Sequence, residues 1–239
     1  MTAAGGPVIP NFGQGSSCVT GDNLFCWDWV REHWGDTLQP ALVLHIELTV
    51  VAIVVGSTLA FGLALLAHRR RRAEQPISIV SALVYTFPSI ALFQLLVPFT
   101  GLTFTTAAIP LVAYTLVILF PNFLAGLDSA PPEVLEAARG MGLTQRQILT
   151  RVELPLALPA IIGGLRIAVV STVAIATIAA SIGENSLGAP IFYAIQLPTP
   201  FKTEIYSAGF LAVALALLCD AALVITRRLA VPWSRVATA

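Results

Sequence analysis

The chain has 239 residues, a mean hydropathy of +0.83, 56% hydrophobic residues and 11% charged ones. So few charges cannot cover a water-exposed globular surface, so the composition excludes an ordinary soluble enzyme and specifies a polytopic membrane protein. Formal net charge is zero, so charge is informative only through its placement, and no nucleic-acid partner is expected.

The N-terminal segment, 1–40, is polar. Its start, MTAAGGPVIPNFGQGSS, lacks a basic stretch followed by a short apolar run, so no cleavable leader is expected. The stretch FCWDWVREHW sets three tryptophans among charges, a pattern that suits a short helix in the lipid headgroup region. Five apolar stretches then approach the roughly 20 residues a helix needs to cross a bilayer. They are Ala41–Ala67, Ile77–Val97, Thr106–Leu127, Ala160–Ser181 and Ile205–Thr226. The fold expected is all-α with five transmembrane helices, a permease-like domain over 41–228 and a tail over 229–239.

Basic residues set the orientation, because Lys and Arg in short loops are held on the cytoplasmic side. Arg69 to Arg72 follow the first stretch, Arg139, Arg146 and Arg151 lie between the third and fourth, and Arg227, Arg228 and Arg235 follow the fifth. With five spans all three places share one side, which puts the N-terminus outside and the C-terminus in the cytoplasm. Cys18 and Cys26 then lie in an oxidising compartment, where CVTGDNLFC can turn through Gly21 and Asn23. A Cys18–Cys26 disulfide is expected, the alternative being two thiols in a tail.

The loop over 128–158, DSAPPEVLEAARGMGLTQRQILTRVELPLAL, is the most informative segment. It reads as two short cytosolic helices around a glycine turn. Asp128 and Ser129 are placed to cap the first, Pro131 and Pro132 suit a first turn whose N–H groups are unpaired anyway, and Gly140 and Gly142 end it. Thr144 with Gln147 has capping-box spacing for the second helix, and Pro155 is expected to close that helix. Small Ala137 and Ala138 would let another protein approach closely.

Glu136-Ala137-Ala138, three residues, Gly142, nine residues, then Val152-Glu153-Leu154-Pro155 resembles the EAA loop of binding-protein-dependent ABC importer permeases of the type I kind. Val152 stands where that family usually has Ile. The resemblance runs from about Trp34 to Arg228. Its wording, with Phe87-Pro88-Ser89-Ile90-Ala91-Leu92, is most similar to permeases for glycine betaine, carnitine and choline. It departs at Gly183-Glu184-Asn185-Ser186-Leu187-Gly188, where relatives commonly read GAGGLG.

The resemblance implies that Glu136, Ala137, Ala138, Gly142, Val152, Leu154 and Pro155 form a coupling element docking on a separate ATPase. It further implies two ATPase subunits carrying ATP and Mg, a second permease subunit, an external substrate-binding protein and a bacterial cell-membrane location. This chain has no G-x-x-x-x-G-K-[ST] phosphate loop of its own. No cofactor, metal or catalytic group is expected in it.

Candidates for the solute path are the aromatic residues Tyr85, Phe87, Phe93, Tyr114 and Tyr193, whose faces can attract a quaternary ammonium, and Asp220 inside the fifth span. His45 and Glu47 are expected near the outer interface, and Pro88, Pro110 and Pro121 are candidate bends. The four consecutive arginines read as a topology anchor that also attracts anionic lipid. Alternatives are a permease for an amino acid such as methionine, a non-transporting membrane scaffold, or an ion-coupled carrier, the last disfavoured because no internal repeat is visible.

Overall fold

The computed structural model describes residues 25–183, 185–197 and 200–232. Cys18, the expected partner of Cys26, lies outside the described residues. Every regular element described is helical. The α-helices in chain order are α1 (Trp27–Glu32), α2 (Gln39–Arg69), α3 (Glu74–Thr86), α4 (Ser89–Thr100), α5 (Phe104–Leu127), α6 (Pro132–Gly140), α7 (Gln145–Ile148), α8 (Leu154–Ala176), α9 (Gly188–Gln196) and α10 (Lys202–Ala230), with short π or 3₁₀ turns at Trp34–Leu38, Arg71–Ala73, Leu149–Glu153 and Thr177–Ile182. Four helical runs among them are long and apolar enough to cross a membrane, or five if α3 and α4 count as one bent span.

Helix α5 is the centre of the bundle, packed on α2 along one side and on α8 along another. Its inward residues include Leu111, Thr115, Leu119, Phe120 and Phe123, all buried. On α2 the buried positions Ala52, Gly56, Ala60, Ala64 and Ala67 recur every three or four residues, so one helix face is a smooth strip of small side chains. Lipid supplies no hydrophobic drive between helices, so close backbone approach along such strips is what holds them. A Cβ added at Gly56 would sit 2.7 Å from Thr115 Cγ2, and one at Gly164 of α8 would sit 2.6 Å from Asn122 Cβ.

Polar links join the same three helices. The Thr115 and Thr172 hydroxyls lie 3.0 Å apart between α5 and α8, and His45 Nε2 lies 3.1 Å from the Val173 carbonyl between α2 and α8. His45 is fully buried, whereas Glu47, two residues on, is exposed on the outer face of α2. The sequence places both near the interface; the helix period separates their surroundings.

The stretch expected as one span over 77–97 is instead two helices, α3 and α4, meeting at 95°. The cause is local. Phe87 precedes Pro88 and is held extended at φ −73°, ψ 131°, as the ring of a following proline demands. Pro110 and Pro121, by contrast, lie inside an unbroken α5.

A second difference concerns Pro155. It does not close a helix: a run from Gln145 to Ile182 is continuously helical over 38 residues, so the expected fourth span begins well before Ala160. The turn before the proline, Leu149–Glu153, is widened to π geometry, and Pro155 falls in the first turn of α8. Widening relieves the clash between a proline ring and the carbonyl four residues back.

At the other end, α1 docks on the start of α10. Trp29 stacks on His33 at 4.6 Å and meets Phe201 edge-on at 5.2 Å, while Trp27 and Trp34 stay exposed, as an interfacial helix requires.

The contact at Gly56 yields a stability test. Gly56→Leu overpacks the α2–α5 seam and should cost about 1–3 kcal/mol, more than the roughly 0.6 kcal/mol of an interhelical hydrogen bond in a membrane. Thermal unfolding in detergent should show Gly56→Leu well below the wild type and Thr115→Ala much nearer to it.

Candidate functional site

The segment joining α5 to α8 is built by capping chemistry. Helix α6 starts at Pro132 with Pro131 as its N-cap and no side-chain cap; Glu133 in its first turn and Arg139 in its last complement the helix dipole. Asp128 and Ser129 do not cap it. Asp128 turns to His68 and Arg71, and the Ser129 hydroxyl donates to the Gly126 carbonyl.

Gly142 sits at φ +78°, where only glycine is unstrained, and this reverses the chain after α6. Thr144 and Gln147 then form the expected capping box: the Thr144 hydroxyl accepts from the Gln147 amide N–H, and the Gln147 side-chain oxygen accepts from the Thr144 N–H at 2.8 Å.

The result is a projecting knob. Glu136, Ala137, Gly140, Met141 and Gly142 are exposed, Met141 at 73%. Ala138 is not part of that surface: it is buried and faces into the element, together with Ile148. Val152, Leu154 and Pro155 are half-buried at the root of α8, where they shape the junction rather than the tip. Sequence reading passed over Met141, although an apolar residue between two glycines at a turn is itself a signal of an exposed contact.

The root of the knob is tied to the bundle through charges. His68, in the last turn of α2, has Nδ1 2.6 Å from Asp128 Oδ1 and Nε2 3.2 Å from Glu153 Oε2. Arg71 reaches the other oxygen of Asp128 at 2.5 Å. The ends of α2 and α5 and the start of α8 therefore meet at one end of the bundle, the end that carries most of the arginines.

The aromatic candidates divide. Tyr85, Phe87 and Tyr114 gather at the α3–α4 break, with Tyr85 and Tyr114 edge to face at 6.4 Å. The Tyr114 hydroxyl donates to the Phe87 carbonyl at 2.6 Å, satisfying an acceptor that the break removed from the helix ladder. Phe93 is fully buried in the core cluster with Leu48, Ala52 and Leu111. Tyr193 lies elsewhere, on α9, in an open groove of about 390 Å³ that it shares with Gln94, Ser181, Asn185, Phe192 and Gln196.

Asp220 has a partner that the sequence reading overlooked. Arg166, in the middle of α8, grips it with two nitrogens of the guanidinium, Nε donating to Oδ1 at 2.7 Å and Nη2 to Oδ2 at 2.9 Å. A planar fork matched to a carboxylate is the strongest form of this pair, and inside a membrane each charge needs the other.

The family described as binding-protein-dependent transport system inner membrane component matches residues 52–232. The osmoprotectant import permease protein OsmW of Salmonella typhimurium is 39% identical over 59% of this chain and 69% of its own length. The choline transport system permease protein OpuBB of Bacillus subtilis is 29% identical over 79% of this chain and 86% of its own length. Among solved structures, a chain of the MetNI methionine ABC transporter in an inward-facing conformation superposes with a TM-score of 0.72 at 22% identity, covering 81% of this chain and 95% of that one. At that identity the likeness speaks for the fold.

The paired charges on α8 and α10 give a clear expectation. Asp220→Asn strands Arg166 in an apolar setting and should lower the yield of folded protein in the membrane, as should Arg166→Gln. The exchange Arg166→Asp with Asp220→Arg should recover a good part of the loss, measured as monodisperse protein after extraction.

Proposed function

This chain belongs to the binding-protein-dependent transport system inner membrane components, and from that premise we propose that it is the permease subunit of an ATP-driven importer of compatible solutes carrying a quaternary ammonium group, such as glycine betaine, choline or carnitine. The observation that carries the mechanism is the knob over 132–148, a preformed helix–glycine turn–helix that stands clear of the bundle and continues without a break into α8. Such an element accepts a push from outside the membrane and delivers it along a membrane helix.

In this reading Glu136, Ala137, Met141 and Gly142 face a groove of the ATPase, while Ala138, Val152, Leu154 and Pro155 keep the element in shape. ATP and Mg bind on two ATPase subunits. Five spans are counted with α3 and α4 as one bent crossing, the N-terminus lies outside with Cys18 and Cys26 bonded, and the C-terminus lies in the cytoplasm. Helices α3 and α4 are exposed on most faces, at Ile79, Val80, Leu83, Tyr85, Phe87 and Ile90 among others. A second permease subunit covers part of that surface and completes the solute path past the break. An external binding protein supplies the solute and most of the selectivity.

Two measurements test this. The assembled importer, reconstituted with its ATPase and binding protein, should accumulate a labelled betaine or choline when ATP is supplied; accumulation of methionine alone would overturn the solute class and leave the importer standing. Gly142→Val forces a β-branched residue into the left-handed region at a local cost of about 1–2 kcal/mol. A Cβ there meets nothing within 4 Å in this chain, so insertion should be normal while uptake falls by about tenfold or more. Full uptake by a properly inserted Gly142→Val protein would remove this segment from the coupling role.

A further inference from the structure

The end of the bundle away from the knob carries the open groove of about 390 Å³, which the coupling role does not use. One wall is the side of α4 bearing Gln94, the next is the 3₁₀ turn with Ser181, and the last is the side of α9 bearing Phe192, Tyr193 and Gln196, with Asn185 between them in sequence. Phe192 and Gln196 are four residues apart, so α9 turns them to one side. Helix α9 is seated by its small residues, with Gly188 and Ala194 buried. A Cβ at Gly188 would collide with the Thr177 carbonyl, so the helix rests directly on the turn and the groove is formed in advance. Its volume falls in the range of small-molecule sites, roughly 300–1,000 Å³.

The lining is chemically narrow. Among the described residues that form it none is charged; it offers three carboxamides, the hydroxyl of Ser181 and two aromatic rings, Tyr193 exposed at 71% and Phe192 at 37%. Gln94 lies in an apolar helix six residues past Pro88, and its side chain, like those of Asn185, Gln196 and Tyr193, makes no hydrogen bond to another described residue. The Ser181 hydroxyl is buried and has no such partner either. Polar groups at membrane depth without a protein partner are stable only beside water or a polar ligand. A quaternary ammonium has no N–H to donate and is held by aromatic faces, while carboxamide N–H groups donate to a carboxylate.

We propose that this groove is a solute subsite of the permease itself and that it takes betaines: Tyr193 and Phe192 receive the quaternary ammonium, and the amides of Gln94 and Asn185 donate to the carboxylate. Glycine betaine is then held more tightly than choline, which has no carboxylate. The inference rests on the reading of the chain as part of an importer of such solutes, in which this end of the bundle faces the external binding protein.

The test uses the assembled permease–ATPase complex in nanodiscs free of phosphatidylcholine, so that no lipid headgroup competes. Glycine betaine, choline and methionine are titrated without the binding protein, and binding is read by saturation transfer to the ligand protons. The wild type should bind glycine betaine about threefold or more tightly than choline, as one or two hydrogen bonds would give. Tyr193→Leu should weaken both by about fivefold or more, whereas Tyr193→Phe keeps the ring and should match the wild type. Gln94→Leu combined with Asn185→Leu should weaken glycine betaine alone, down to the level of choline.

Gln94, Asn185 and Tyr193 are all exposed, so these changes leave core packing intact. The ratio of two affinities in one sample is also independent of how much protein has folded. Wild-type protein that binds neither glycine betaine nor choline, or betaine binding that no variant alters, would overturn the subsite alone. Methionine bound in place of both would overturn the solute class of the importer, and the betaine assignment with it.

Discussion

The rest of the architecture depends on how closely two helices can approach α5. Nothing in a bilayer squeezes helices together as water does in a soluble core, so association comes from contacts that exist only when backbones nearly touch. At Gly56 against Thr115 and at Gly164 against Asn122 the missing methyl group is the condition for contact, since a Cβ would come within 3 Å. Gly126 makes a third such place, where a Cβ would lie 3.1 Å from both the Ala157 carbonyl oxygen and Ala160 Cβ. The hydrogen bonds between Thr115 and Thr172 and from His45 to Val173 then act across a gap that small residues have already closed. They set register more than they supply stability.

The same bilayer constraint explains the break between α3 and α4. A helix that stops inside hydrocarbon leaves backbone acceptors with no water to meet them. At Pro88 the helix stops, and the Tyr114 hydroxyl donates to the Phe87 carbonyl that the stop leaves free. Tyr114 thus has a structural duty, and Tyr85, edge to face with it, shares the site. Tyr85 and Phe87 keep exposed faces at the 95° break between the two helices.

Local chemistry was legible in the sequence; distant pairing was not. The Thr144–Gln147 capping box, the glycine turn at Gly142 and the bend at Pro88 depend on residues within four positions of one another, and each stands where the pattern puts it. Pro155 misled because a proline rule assumes a regular helix, and the π-widened turn before it changes the geometry the rule assumes. Ala138 misled in another way: the motif marks both alanines as small, but only the helix phase decides that Ala137 looks out and Ala138 looks in. Arg166 with Asp220, and His68 with Asp128 and Glu153, join residues 54 to 85 positions apart in sequence, and no periodicity announces such pairs.

Small-residue seams and a continuous lever suit each other. The run from Gln145 to Ile182 begins in the knob and ends where a 3₁₀ turn, Thr177–Ile182, packs against α4 and α9. Along that run the faces at Gly126, Ala157, Ala160 and Gly164 present backbone and small side chains at the close approach of α5 and α8, and the Arg166–Asp220 fork ties α8 to α10. On the docking role proposed for the knob, the groove that includes Gln94, Ser181 and Tyr193 lies at the far end of the same helical run, so one continuous element joins the two places.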